Sequence, residues 1–205
     1  MTGWRRFLRV KKPWPLFLGQ CLAVLAVAYT LGWWFSHLYE FGIAQGKPCM
    51  PGRFYFIERR GEGRLPEFKR GDLIVFRTDR RMAPFYQPGT RFVKLVRGLP
   101  GDRVVIDAAG KVEITGNDGY RFNTALESQV TALLVKAGAD NGARPLTPEY
   151  FAMDYIIPSG SYFAMGTLPD SYDSRYWGLV RPDQVVGKAL VEFGSWAMMG
   201  RQASN

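Results

Sequence analysis

Two cysteines, one histidine and a set of lysines are the residues in this 205-residue chain whose types narrow its chemistry. Cleaving a peptide bond takes a nucleophile, a group to accept its proton, and donors for the oxyanion that forms at the carbonyl. Cys49 can serve as the nucleophile. Cys21 lies inside an apolar run and reads as a small packing or lipid-facing residue. His37 is the single histidine and stands at the end of that run, where an amphipathic ring suits a membrane border. A cysteine and histidine pair therefore has little support, and the chain lacks the ligands for a His/Cys zinc site. Lysine is the base that remains, and near its ordinary pKa of about 10.4 a lysine keeps its proton. A lysine in that role therefore needs a dry apolar wall that disfavours its ammonium form.

The elements that must carry these residues begin with a membrane segment. Residues 15–35, PLFLGQCLAVLAVAYTLGWWF, hold no charge and as a helix would span roughly 30 Å, a bilayer core. A cleavable signal peptide would have a shorter apolar part ending at small residues, whereas Trp33, Trp34 and Phe35 are bulky. An uncleaved anchor over 15–36 is expected. Arg5, Arg6, Arg9, Lys11 and Lys12 precede it with no acidic residue before Glu40, which assigns 1–14 to the cytoplasm and 37–205 to the exterior. These five account for much of the net charge of +9, leaving +4 dispersed among carboxylates. No basic face results, so no nucleic-acid partner is expected. With two cysteines a disulfide framework is excluded, and a lone exterior thiol at Cys49 calls for a functional reason.

Beyond the anchor, a Gly-containing linker leads into alternating aromatics, with Phe54 and Phe56 on one side and Tyr55 and Ile57 on the other, which reads as a strand. KRGDLIVFR and RFVKLVRGLPGDRVVID add further β-rich runs, the latter folded at a turn through Gly98, Pro100 and Gly101. More strands are expected at 111–115, 154–158 and 161–165. Leu126, Val130, Leu133 and Leu134 recur at helical spacing, and Thr124 with Glu127 would form a capping box. Short strands with glycine punctuation predict a mainly β domain of barrel-like or sandwich-like type.

Three segments in order, KPCMPGRFY, FVKLVRGLPGD and GSYFAMGTLPDSYDSRYWGLV, resemble the successive boxes of signal peptidase I across most of residues 45–191. The first, with proline two positions after the nucleophile and Phe54 and Tyr55 following, is similar to the TraF-type conjugative peptidases. The resemblance implies a signal-peptidase/LexA-like, barrel-like catalytic domain with a small helical insert at about 117–155. It implies Cys49 as nucleophile where relatives carry serine, Lys94 as general base, and Ser171 hydrogen-bonded to that lysine. Phe92, Val93, Leu95 and Val96 are then expected to supply part of the dry wall that Lys94 needs. The Cys49 N–H would contribute to the oxyanion hole, Asp173 and Arg175 would buttress the site, and Gly166 would form part of the intervening turn. Met50, Pro51, Phe54 and Tyr55 would border the substrate, and no cofactor or metal is implied. The implied partners are the membrane, a prepilin or other exported preprotein, and components of a conjugative transfer apparatus.

The chain also departs from that pattern. Lys47 stands where some relatives carry a hydroxyl, Leu95 follows the lysine where arginine is common, and Gly166, Thr167 and Leu168 replace Gly-Asp-Asn. Three readings stay open: a pilin-maturing peptidase, a general leader peptidase, and a catalytically silent scaffold. An acyl-thiol intermediate is attacked by amines more readily than an ester, which would favour joining the new end to the pilin's own N-terminus. An extended substrate is expected to add to a strand edge such as 53–58.

Overall fold

The computed structural model describes residues 14–44, 49–61, 66–83, 85–140, 148–168 and 171–195. The expected basic tail 1–14 lies outside these residues except for Trp14, as does Lys47. The chain divides into two units at Leu38. The first holds helix α1 (Trp14–Leu38), which is apolar on every side with no buried residue, and is long and apolar enough to cross a membrane. Its two aliphatic hydroxyls turn back onto its own backbone: Thr30 Oγ1 donates to the carbonyl of Val27 at 2.9 Å and Ser36 Oγ to that of Trp33 at 2.7 Å. A segment in hydrocarbon needs that self-sufficiency, because no water is there to satisfy a polar group.

The second unit is mainly β. Its strands are β1 (Tyr39–Ile43), β2 (Gly52–Arg59), β3 (Leu73–Arg77), β4 (Arg91–Gly98), β5 (Arg103–Ile106), β6 (Lys111–Thr115), β7 (Arg121–Ala125), β8 (Met153–Ile156), β9 (Phe163–Met165) and β10 (Val185–Ser195). Helix α2 (Ser128–Asp140) lies between β7 and β8, and the single turn α3 (Ser174–Trp177) between β9 and β10. One sheet has the order β1-β2-β10-β3-β4-β9 and the other β7-β6-β5-β8.

Alternation along β4 explains how one strand serves two cores. Val96 shares a cluster with Ile74, Phe76 and Trp177, while Val93 and Leu95 pack with Met50, Tyr55, Ile57 and Val75 on the opposite face. A third cluster, from Val104 and Ile106 to Ile114 and Phe163, fills the space under the smaller sheet. The turn between β4 and β5 has its own logic. Gly101 adopts a φ of +90°, which a side chain would strain, and Asp102 accepts the Leu99 N–H at 2.7 Å and Arg70 Nη2 at 2.6 Å.

Several elements differ from expectation. The 39–43 stretch, read as linker, is β1, because pairing with β2 satisfies a backbone that its glycine does not break. Thr124 does not cap a helix, since it belongs to β7 opposite Val112; the first turn of the helix is served instead by Tyr176, whose hydroxyl accepts the Glu127 N–H at 2.8 Å. Leu133 is 60% exposed, while Val130 and Leu134 are buried. Of the expected insert at about 117–155, β7 and β8 are members of the smaller sheet, paired with β6 and β5. Strand β2 offers no free edge to a substrate, because β1 and β10 flank it on both sides.

Candidate active site

Lys94 sits mid-strand in β4, opposite Ile74 of β3. It is 1% exposed, and its Nζ donates to Ser171 Oγ at 2.6 Å. The Phe92 ring lies 5.6 Å from Nζ, and no carboxylate comes within ion-pair range of it among the described residues. The expected dry wall is built differently from the sequence reading. Strand alternation sends Val93 and Leu95 to the other face, so the apolar surroundings come from Phe92, Val96 and the facing strand rather than from all four neighbours.

Cys49 is half-buried and stands three residues before β2. Its carbonyl accepts the Thr167 N–H at 3.2 Å, which ties the thiol's backbone to the turn after β9. Cys49 and Lys94 both line one cavity of about 420 Å³, together with Met50, Tyr55, Tyr86 and Phe92. Met50 and Tyr55 are thus cavity residues that are also buried in the core, at 3% and 2% exposure. Pro51 is exposed, and Phe54 stacks on Phe193 with ring centroids 5.4 Å apart. The Tyr55 phenol is raised well above its usual pKa by burial, with the charges of Glu192 and Cys49 adding to the effect. Tyr86 is raised by burial and, second, by Cys49.

Beneath Lys94, Asp173 and Arg175 form a buried pair, with Nε to Oδ1 at 2.8 Å and Nη2 to Oδ2 at 2.9 Å. Burial opposes the guanidinium charge, but hydrogen bonding and attraction to Asp173 outweigh it and raise the Arg175 pKa above its ordinary value. The pair holds three segments together. Asp173 accepts the Gly166 N–H at 3.1 Å, and Arg175 donates to the carbonyls of Ser171 at 3.2 Å and Ala125 at 2.9 Å. A carboxylate and a guanidinium in this fork arrangement fix one another's orientation, so the turn carrying Ser171 inherits a set position.

Gly166 is where these parts meet. A Cβ there would collide with the Ser171 side chain and come within 2.8 Å of the Cys49 carbonyl. Gly166→Ala should therefore displace Ser171 or the Cys49 backbone. A loss of turnover of at least about tenfold is expected, since small misplacements at a reacting centre cost up to about a hundredfold. Steady-state kinetics on protein of unchanged melting temperature checks it.

A family model described as "Signal peptidase, peptidase S26" matches residues 16–196. This chain belongs to that family. A signal peptidase I of Pseudomonas fluorescens is 32% identical over 149 residues, covering 62% of this chain and 50% of its relative. One from Bacillus caldolyticus is 28% identical over 188 residues, covering 89% of both. The chain spans about half the length of the Pseudomonas relative that it matches. Among solved structures, a signal peptidase I from Enterococcus faecalis is 25% identical, with a TM-score of 0.32, covering 62% of this chain and all of that one.

In this signal peptidase family member, sequence reasoning singled out the residues that meet around Lys94 but missed Tyr86 and Thr167. Tyr86 reaches the cavity from the loop between β3 and β4, and Thr167 acts through its backbone N–H. Neither has a spacing signature, because a loop's path and a main-chain donor do not depend on a periodic pattern.

Proposed function

We propose that this chain is a membrane-bound endopeptidase of the signal peptidase I type that matures an exported precursor, a prepilin above all, with Cys49 as nucleophile and Lys94 as general base. The observation that carries it is the shared cavity, in which the half-buried thiol and a buried amine without a counter-charge among the described residues both take part. In the forward step the Cys49 sulfur attacks the scissile carbonyl carbon and its proton passes to the Lys94 amine. The carbonyl π pair moves to oxygen, and collapse expels the leaving amine, which takes up the proton. Ser171 accepts one amine hydrogen and so orients the lone pair that receives the proton.

Substrate binding follows from two open strand edges. Beside β4, strand β9 pairs only from Leu95 onward, which leaves 91–94 without a partner on that side among the described residues. The outer edge of β1 is likewise open, and residues of both edges line the cavity. Because the strands from β1 to β4 alternate through β2, β10 and β3, β1 and β4 run the same way. A single extended peptide lying between them would pair in the same sense with both.

The precursor arrives through the membrane, and the outer face of the sheet suits that setting. Phe41, Phe56 and Val191 form one cross-strand row and Ile43, Phe54 and Phe193 the next, with Phe41 72% and Ile43 61% exposed. The proposed location is the inner membrane, single-pass, with the N-terminus in the cytoplasm and the catalytic unit outside. The likeness of KPCMPGRFY to conjugative peptidases favours pilin maturation alongside transfer-apparatus components over general leader cleavage. Genes for pilin and channel components beside this one would support it; service as a cell's sole leader peptidase would support the other reading.

The thiol also bears on the product, because an acyl-thiol intermediate yields readily to an amine. Co-expression with a prepilin is expected to release a short peptide and give a mature pilin 18 Da lighter than the linear product, within roughly 1 Da for an intact mass, if the ends join. Cys49→Ser should retain cleavage but lose joining. A linear mass with wild-type protein sinks the cyclisation, and maturation by Cys49→Ala sinks the site and leaves the scaffold reading.

A further inference from the structure

Four side chains that line the cavity already donate a hydrogen bond. Tyr55 donates its hydroxyl to the Gly52 carbonyl at 2.7 Å, Thr90 to the Gln87 carbonyl at 2.7 Å, Arg91 to Glu40 at 2.6 Å, and Lys94 to Ser171. Arg91 and Lys94 keep further N–H groups, but of the hydroxyls that line the cavity Tyr86 carries the one with no partner among the described residues. Its ring is not loose. It stands edge-on to Phe92 with centroids 4.6 Å apart and stacks on Tyr172 at 6.0 Å, while its N–H donates to the Met82 carbonyl at 3.2 Å. An oriented phenol with an unspent donor, on the wall that also carries the nucleophile, is an arrangement suited to developing negative charge.

Acyl transfer generates such a charge on the carbonyl oxygen beside the nucleophile. The Cys49 N–H is one candidate for the oxyanion, and position 47 holds a lysine rather than a hydroxyl. We infer that Tyr86 is a catalytic residue that donates a hydrogen bond to the oxyanion of the tetrahedral intermediate. The inference rests on Cys49 being the nucleophile. Tyr86 gives up no proton: the thiol proton goes to Lys94 and the carbonyl π pair to oxygen, while the phenol hydrogen is shared with that oxygen and withdraws when the carbonyl re-forms. Burial and the proximity of the Cys49 charge both keep the phenol protonated, as a donor must be.

The test uses the full chain in detergent with Cys21→Ser as background, so that Cys49 is the single thiol. The probe is a quenched peptide bearing a small-residue signal-cleavage site. Tyr86→Phe keeps the ring against Phe92 and Tyr172 and removes only the hydroxyl. The expected result is a fall in kcat of about 10²- to 10³-fold with KM unchanged, the usual loss for one oxyanion donor. The pH midpoint for alkylation of Cys49 by iodoacetamide should stay where it is. Wild-type kcat in Tyr86→Phe overturns the inference, as does a fall in kcat matched by a shift of that midpoint, which would mean that the phenol serves the resting thiolate. Turnover by Cys49→Ala would bring down the nucleophile assignment first and this inference with it, so the two failures are distinguishable.

Discussion

Lys94→Met should lower turnover by about 10²- to 10⁴-fold, the range that a positioned general base contributes, while the protein melts at the same temperature or higher. The two halves of that expectation have one cause. An amine on a side chain that is 1% exposed, bonded to a neutral hydroxyl and facing no carboxylate among the described residues, is a costly occupant of a core, and a methionine of similar length fills the same space without that cost. Function and stability should therefore move in opposite directions, as they do where a site is kept at the expense of packing. Kinetics and thermal melting on one preparation check both. A fall in both quantities would mean that Lys94 is part of the scaffold, and full turnover would remove it from the chemistry.

Asp173→Ala has the larger structural effect. Asp173 is fully buried and accepts three hydrogen bonds from Arg175, two from the guanidinium and one from the backbone N–H, so its removal strands a guanidinium on a side chain that is 4% exposed. Breaking a buried pair from one side typically costs about 3 to 5 kcal/mol. For a unit of this size each kcal/mol lowers the melting temperature by roughly 2 to 4 °C, so a fall of about 6 to 20 °C is expected. Turnover should fall as well, because the Gly166 N–H loses its acceptor and the Ser171 carbonyl loses a rigid donor. Replacing both residues, Asp173→Leu with Arg175→Met, should be less destabilising than the single change, since no charge is then left unpaired. Melting curves of the three proteins decide it: if the double variant is the least stable, the pair does more than cancel its own burial.

Parts of this picture were legible in the chain because they depend on local chemistry. The apolar run without charges reads directly as a helix able to cross a bilayer, since composition and length suffice for that. Strands β2, β4, β5 and β6 show alternation and β3 a short continuous apolar run, and the turn at Gly101 and Asp102 is written in residue types with a conformational reason. Strand β1 was not legible, being short and glycine-containing, and the capping role assigned to Thr124 failed because cross-strand pairing with Val112 outcompeted a local cap. Lys94 shows both sides of the matter. Its motif marked it, but which neighbours wall it in depended on the pleat, which sends adjacent side chains to opposite faces.

From residues alone came a helix long and apolar enough to cross a bilayer and the mainly β class, because each follows from composition or period, while motif alone marked the thiol and the lysine as candidates. The tertiary structure decided what those residues meet: Lys94 and Ser171 lie 77 positions apart yet bond at 2.6 Å, and Cys49 shares its cavity with a tyrosine from a separate loop. Contacts between distant segments are set by which faces must be buried together, a condition that the chain satisfies only as a whole.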